Sequence, residues 1–209
     1  MRKAEFLELV VAINAGPTQL ERRLRLAAAI TRMLGPQMVV VGGTAEEYWT
    51  AGAYHPTDLD MCPGPLNKAQ KDLLGQVGFV LVGRHWTHPN LTVAVEFPGP
   101  GDDIQQTISL PVGKGEFINM ISREDLYLDR LTQATVDKGP LGIEYQTALV
   151  VAGDNFEDMD WIGVKRRMGE VAPQNPHLAR AMTRIHAQIL KEIKRRLPEI
   201  IATEDVEMS

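Results

Sequence analysis

The strongest constraint on the fold is a run of four apolar residues, Met-Val-Val-Val at 38–41, followed at once by Gly42 and Gly43. A short, fully apolar run rich in β-branched residues is typical of a strand that is buried on both faces. Residues 44–52 have the length of one short helix, and residues 57–62 form a second strand-like segment. A buried strand that leads through a glycine turn into a helix and then into a second strand predicts a mixed α/β core.

The second strand carries two acids, Asp58 and Asp60, separated by one leucine. Side chains alternate along a strand, so both acids share one face while Leu59 and Met61 point to the interior. Two adjacent carboxylates repel each other unless a cation lies between them, and a hard divalent ion such as Mg²⁺ takes oxygen ligands. The pair therefore indicates a cation site; the alternative is a pair of solvated acids at a strand end.

A third acid, Glu96, lies in the alternating segment Leu-Thr-Val-Ala-Val-Glu-Phe at 91–97. An acid within a strand is rarely buried unless it is paired or bound to a metal. If this strand lies beside residues 57–62, Glu96 shares a face with Asp58 and Asp60. The alternative is a glutamate on the solvent face of a half-covered sheet.

Gly42, Gly43 and Thr44 stand where the first strand meets the short helix. A helix N-terminus offers free backbone N–H groups that suit phosphate oxygens, and glycine allows a ligand to come close to the backbone. These three residues are therefore candidates for an anion cradle. The alternative is a tight strand-to-helix turn with no ligand.

Apolar spacing and turn residues predict the other elements, and the fold class is α/β (α+β) with a small mixed β-sheet. Two N-terminal helices precede the sheet, the second capped by Thr18 with Glu21 as its capping-box partner, and Ser122 with Asp125 predicts a similar box further on. Further strands are predicted at 78–83, 91–97, 106–110 and 116–120, and helices at 67–75, 123–135, 141–152, 158–168 and 175–197. The predicted regions are N-terminal helices at 1–35, the α/β core at 36–121, a helical region at 122–200 and a disordered tail at 201–209.

The composition excludes some classes of protein. The net charge is −5, so no overall basic field indicates a nucleic-acid-binding protein. Cys62 is the single cysteine, which rules out an internal disulfide and a multi-cysteine zinc site and favours a reducing compartment, expected to be the cytoplasm. No apolar segment reaches the roughly 20 residues of a membrane span, so no membrane partner is predicted.

The order of these features resembles the DNA polymerase β-like nucleotidyltransferase superfamily. An apolar strand, Gly-Gly-Thr at 42–44, a short helix, an Asp-x-Asp strand at 58–60 and a later strand with Glu96 follow one another as in that superfamily. The segment Thr-Asp-Leu-Asp-Met at 57–61 is similar to its small, single-domain members. The helix opening Ser-Arg-Glu-Asp-Leu at 122–126 looks like that of small bacterial nucleotidyltransferase-like proteins, including abortive-infection toxin-type proteins.

The resemblance implies an activity and a site. Asp58, Asp60 and Glu96 would bind Mg²⁺ (or Mn²⁺) and form the catalytic set, with Glu96 also a candidate base for the attacking hydroxyl. The implied nucleotide-binding residues are Gly42, Gly43, Thr44, Arg123 and Arg130, and Arg84 and Lys114 are further candidate cations for a triphosphate.

The implied reaction transfers a nucleoside monophosphate from a nucleoside triphosphate to an unknown acceptor, which is a protein, a tRNA or a small molecule. A role in a toxin–antitoxin system, with a partner protein or as a homo-oligomer, also follows from the resemblance. Two alternatives remain open. One is a catalytically inactive nucleotidyltransferase fold that binds nucleotides or regulates a partner, because many relatives have lysine at Asp129 or Arg130 and the glycine-to-acid gap is long. The other is an unrelated α/β protein.

For the histidines near the acids, the sequence does not favour a metal site. His85 and His88 flank Trp86 in a segment predicted to be a loop before strand 91–97. Two histidines at this spacing suit a transition metal, but no third ligand is evident nearby in the sequence. The prediction is therefore a hairpin loop filled by Trp86. His55, just before the acids, is either a loop residue or a contact to the nucleotide.

Overall fold

A computed structural model describes residues 2–113, 115–136 and 142–207, with side chains described as far as Arg196. The chain is divided into two compact units, Met1–Asp125 and Leu126–Ser209. Lys114, one of the candidate cations, lies outside the described residues.

Among its described residues, the first unit contains four complete helices: α1 Lys3–Asn14, α2 Gln19–Leu34, α3 Gly42–Trp49 and α4 Lys68–Val77. Helix α2 begins where the sequence predicts, because the Thr18 hydroxyl accepts a hydrogen bond from the Glu21 N–H at 3.1 Å. Helix α4 begins with a reciprocal capping box between Asn67 and Gln70. Local capping chemistry therefore determines where these helices start.

The part of this unit that the structure describes has seven strands in one mixed sheet: β1 Val39–Val41, β2 Asp58–Cys62, β3 Val80–Val82, β4 His85–Thr87, β5 Ala94–Glu96, β6 Thr107–Pro111 and β7 Phe117–Ile121. Their order across the sheet is β3-β4-β5-β2-β1-β7-β6. The β1–β7 and β2–β5 pairs are parallel, and the other neighbours are antiparallel.

The two faces of the central strands differ in polarity. Val40, Leu59 and Val95 point to one face and are fully buried. Helix α2 packs on β2 and β7, and α1 and α4 pack beside it, so this face forms the core of the unit. Burial of each such side chain contributes roughly 1.5–3 kcal/mol. The opposite face of the same strands carries the acids.

One local prediction was wrong. The segment around Trp86 was predicted to be a loop, but His85–Thr87 is strand β4, and Trp86 is buried at 9% exposure. Strand β4 pairs with β3 on one side and β5 on the other. The hairpin is tight because only Gly83 and Arg84 separate β3 from β4. The buried Trp86 side chain therefore belongs to a strand and not to a loop.

Four helices account for the rest of the described chain. Helix α5 (Arg123–Ala134) crosses the division between the units, and the second unit continues with α6 Ile143–Asp154, α7 Trp161–Val171 and α8 Pro176–Glu207. Helices α6 and α7 both pack on α8. Helix α8 includes residues 201–207 of the predicted tail, and residues 208–209 lie outside the described part. Among the described helices, no segment combines the length and the apolar character that crossing a bilayer needs.

Candidate metal centre

Strands β2 and β5 place the three predicted acids on one face of the sheet. The two strands are parallel, and their register pairs Asp60 with Glu96 and Asp58 with Ala94. Because paired residues in adjacent strands point the same way, Glu96 shares the face of Asp58 and Asp60. The expectation that Glu96 lies beside the Asp-x-Asp pair is met. Its role as a ligand or base stays a prediction.

His85 joins the acids from strand β4, a position that sequence reasoning missed. The antiparallel register of β4 and β5 pairs His85 with Glu96. The His85 Nε2 atom lies 3.2 Å from Asp58 Oδ2 and 3.4 Å from Glu96 Oε2. His85 and Thr87 alternate with the buried Trp86, which places the imidazole on the face opposite the core, but a segment of three residues is too short for this alternation to be recognised in the sequence.

Asp58, His85 and Glu96 can together hold one ion. Each offers one ligand atom, and these atoms all lie within 4.8 Å of one another. Their side chains are 25%, 33% and 12% exposed, so the group is half-buried and open to solvent on one side. Asp60 is outside this group, although it shares the face. Asp58, His85 and Glu96 are thus one group that the geometry brings together, and the predicted binding of an ion by Asp58, Asp60 and Glu96 stays a prediction.

Asp60 lies instead against the start of helix α3. A Cβ atom added at Gly42 would overlap the Asp60 carboxylate, and the Gly42 φ is 58°, in the left-handed region that favours glycine. Gly43 has a similar restriction, since an added Cβ would overlap the Pro56 ring. Both glycines thus have a local reason to be glycine. Their predicted contact with phosphate stays a prediction.

Thr44 is buried inside this junction. Its side chain has no exposed surface, and its hydroxyl donates a hydrogen bond to the Asp58 carbonyl at 3.3 Å. The hydroxyl therefore links helix α3 to the strand that carries the acids. The role predicted for Thr44 in nucleotide binding rests on its backbone N–H in this geometry.

The candidate cations lie in different places. The Arg84 Nε atom is 3.0 Å from Glu96 Oε2, at the edge of the metal centre, and the side chain is 73% exposed. The Arg123 guanidinium lies 5.4 Å from the centre of the Trp49 ring, and its Nε is 3.3 Å from Glu124 Oε1. Arg130 belongs to the second unit, where its Nη1 lies 3.0 Å from Glu144 Oε2. The structure therefore brings Arg84 to the acids.

A buried ion pair supports the loop that enters β2. Arg23 of α2 is 2% exposed and pairs with Glu47 of α3, which is also buried. The same guanidinium donates a hydrogen bond to the Pro56 carbonyl at 2.8 Å. Pro56 stands two residues before Asp58, so this pair fixes the approach of the chain to the metal centre. Neither residue was singled out in the sequence analysis, since nothing in the sequence shows that Arg23 is buried.

The first unit combines a mixed sheet with helices on one face and clustered acids on the other, next to a glycine turn. Comparison with solved structures shows that this fold is nucleotidyltransferase-like. The chain is similar to the crystal structure of an antigenic nucleotidyltransferase-like protein from Paracoccidioides brasiliensis, with 14% sequence identity and a TM-score of 0.51. The similarity covers 80% of this chain and 94% of that one.

The other two comparisons add no relative. No protein-family model matches the chain, and no curated protein matches it. At 14% identity the structural likeness is one of fold. The predicted α/β fold class is confirmed, and the broad nucleotidyltransferase-like character of that fold is shown.

Proposed function

We propose that this protein is a divalent-metal-dependent nucleotidyltransferase, which transfers a nucleoside monophosphate from a nucleoside triphosphate to an acceptor hydroxyl. The observation that carries the proposal is the convergence of Asp58, His85 and Glu96 on one face of a nucleotidyltransferase-like sheet. The acceptor class (protein, tRNA or small molecule), the nucleotide and a place in a toxin–antitoxin pair are hypotheses from the sequence resemblance.

The donor chemistry fits a divalent ion such as Mn²⁺ or Mg²⁺. Two carboxylates supply the negative charge that a divalent cation needs, and the open side of the group leaves room for phosphate oxygens. Asp58, His85 and Glu96 would hold the ion, and Asp60 lies on the same face beside them. When bound, the ion supplies neutralisation of phosphate charge and a lower pKa for the attacking hydroxyl.

The protein's own residues would orient the reactants. The acceptor oxygen attacks the α-phosphorus, the bond to the pyrophosphate oxygen breaks, and the hydroxyl proton passes to a site carboxylate, for which Glu96 is the candidate. The N-terminus of α3, and the Arg84 guanidinium once it leaves Glu96, would contact the departing pyrophosphate. Positioning and electrostatics then supply most of the rate, as is general for phosphoryl-group chemistry.

One observation favours the second candidate function, a nucleotidyltransferase fold that binds nucleotides without transferring them. The carboxylates already have cationic or imidazole partners in the protein, because Arg84 pairs with Glu96 and His85 contacts Asp58. These contacts give both carboxylates partners within the protein, so they do not depend on an ion for every contact they make. The inactive alternative from the sequence analysis is therefore kept as the competing hypothesis.

Transfer of label from α-³²P nucleoside triphosphates tests the proposal. The full chain is incubated with each of four nucleotides, Mg²⁺ or Mn²⁺, and cell extract separated into protein, RNA and small-molecule fractions. We expect a labelled acceptor with the wild type and loss of the label with Asp58→Asn. Asp72→Asn, at an exposed acid of α4, is the matched control and should retain the label. Thermal stabilisation by nucleotide without any labelled product would instead establish the non-catalytic binder.

A further inference from the structure

We propose that His85 is a metal ligand and that it makes this centre select a first-row transition ion, Mn²⁺ or a later one in the series, over Mg²⁺. The inference rests on the proposed function only in placing a divalent ion at these residues. It adds a ligand that the superfamily resemblance does not imply, since that resemblance assigns the ion to Asp58, Asp60 and Glu96.

The distances suit direct coordination by the imidazole. Ligand atoms about 2.0–2.2 Å from a common ion are separated from one another by about 3.0–3.5 Å in octahedral or tetrahedral geometry. His85 Nε2 lies 3.2 Å from Asp58 Oδ2 and 3.4 Å from Glu96 Oε2. The imidazole nitrogen is therefore already placed at a ligand-to-ligand distance from both carboxylates.

The fold holds this imidazole in position. His85 begins a strand that is paired on both sides, with Val82 of β3 and Glu96 of β5. The next residue, Trp86, is buried in the opposite face, so a rotation of the strand that removed His85 from the acids would expose a large apolar ring. Asp58 and Glu96 come from the adjacent strands β2 and β5, which pair with each other. Three paired strands thus present the three donors from a rigid surface.

The donor set decides which ion is preferred. Mg²⁺ requires near-ideal octahedral oxygen coordination and loses its waters reluctantly. Imidazole is a favourable ligand for zinc, iron, copper and nickel, and affinity for nitrogen-containing sites rises from Mn²⁺ towards Cu²⁺. One imidazole with two carboxylates is therefore a poorer site for Mg²⁺ than three carboxylates would be. The competing interpretation is that His85 serves as a cation between two acids and binds no metal.

Spectroscopy of bound Mn²⁺ separates these interpretations without any measurement of activity. The 209-residue chain is loaded with Mn²⁺ at about pH 8, where an ordinary imidazole is neutral, and electron spin-echo envelope modulation detects a directly bound ¹⁴N nucleus. We expect nitrogen modulation in the wild type and in His177→Asn, which removes an exposed histidine of α8. We expect its loss in His85→Asn. Bound Mn²⁺ without nitrogen modulation in the wild type would overturn the proposal.

A second variant tests the selectivity. His85→Asp replaces the imidazole by a third carboxylate, and calorimetric titration gives Mg²⁺ and Mn²⁺ affinities for both proteins. We expect wild type to prefer Mn²⁺ on the order of tenfold or more, and the variant to lose most of that preference. An unchanged ratio would contradict the role of His85. Circular dichroism melting of each variant establishes that it is folded before its affinities are interpreted.

The outcomes separate this inference from the proposed function. Nitrogen-coupled Mn²⁺ with no label transfer would support the ligand role of His85 while rejecting nucleotidyl transfer. Label transfer with equal Mg²⁺ and Mn²⁺ affinities and no nitrogen coupling would support nucleotidyl transfer and reject the ligand role of His85.

Discussion

Arg84 is an exposed side chain at the edge of the candidate metal centre. Its guanidinium pairs with Glu96 at 3.0 Å while most of its surface remains in solvent. Because solvent screens the guanidinium, the pair is weaker than a fully buried one, and under the proposed function an entering cation would displace it. The released guanidinium would then be free to contact a phosphate.

We therefore predict opposite effects of Arg84→Ala on the two ligands. Mn²⁺ affinity without nucleotide should rise about two- to fivefold, because a competing cation is removed from Glu96. Affinity for a nucleoside triphosphate in the presence of Mn²⁺ should fall. Calorimetric titration measures both, and Arg195→Ala, at an exposed arginine of α8, serves as the control. A fall in the affinity for Mn²⁺ alone would count against this competition.

At Gly42 we predict the effect of a substitution on the stability of the fold. Gly42→Ala places a Cβ where the Asp60 carboxylate lies and forces alanine to a φ near 58°. Gly113→Ala is a matched control, because its φ is 69° but nothing lies within 4 Å of the added atom. The control should cost about 1–2 kcal/mol in the free energy of unfolding from backbone strain alone. Gly42→Ala should cost measurably more in urea denaturation. Equal costs would show that the Asp60 contact is unimportant.

At the scale of elements, the sequence predicts the helix starts and strands that depend on residues close together in the chain. The cap at Thr18 is as predicted, and strand β2 follows from its alternation. At the capping box predicted at 122–125, the Asp125 N–H donates to the Ser122 hydroxyl oxygen at 3.1 Å. The Asp125 carboxylate also accepts from the N–H groups of Gln105 and Gln106 at 2.6 and 2.8 Å. These two partners lie about twenty residues away in the chain, and no local pattern could show them.

Strand β4 explains why the candidate site was only partly predictable. Three residues are too few to establish a period, and its neighbour β3 exposes Val80, Leu81 and Val82 instead of burying every second side chain. Strand β3 lies within the strand predicted at 78–83, whereas β4 is a strand because it pairs with β3 and β5 and not because of a local pattern. The convergence of Asp58 and Glu96 could be predicted from alternation and adjacency. Whether His85 or Asp60 completes the group depends on side-chain placement, which alternation does not give.

The Arg23–Glu47 pair joins two elements to the loop before β2, and we expect its loss to be costly. Arg23→Met leaves the buried Glu47 carboxylate without its partner, which should lower the free energy of unfolding by roughly 3–5 kcal/mol. Removal of both charges in Arg23→Met/Glu47→Leu should restore most of the lost free energy of unfolding. Arg166→Ala breaks an exposed pair with Glu170 and should cost less than about 1 kcal/mol. Guanidinium denaturation of the wild type and these three variants measures the differences in the free energy of unfolding. If Arg23→Met were as stable as Arg166→Ala, the Arg23–Glu47 pair would not be a stabilising one.

At the scale of the whole chain, the two units share one response to acid. Burial lowers the pKa of His88 in the first unit, where the ring packs against Phe6 and Phe79 and lies near Lys3. Burial also lowers the pKa of His186 in the second unit, with Lys165 adding a smaller effect in the same direction. The His186 ring contacts Tyr127 and Trp161, and its Nε2 is a buried atom without a hydrogen-bond partner among the described residues.

A lowered histidine pKa makes folding sensitive to mild acid, and the direction follows from proton uptake. Above the ordinary value of 6.5 both imidazoles are neutral in the folded and unfolded chains, so their contribution is constant. Below that value the unfolded chain binds protons that the folded chain does not. The free energy of unfolding therefore decreases as the pH is lowered, until the pH is below the pKa of the histidine in the folded chain. We predict that the urea midpoint falls between pH 7 and about pH 5, and that His186→Gln makes this fall smaller. His177→Gln, which removes an exposed imidazole, is the control, and an NMR titration of the His186 ring measures its pKa directly. A His186 ring that titrates at or above 6.5 would contradict the prediction.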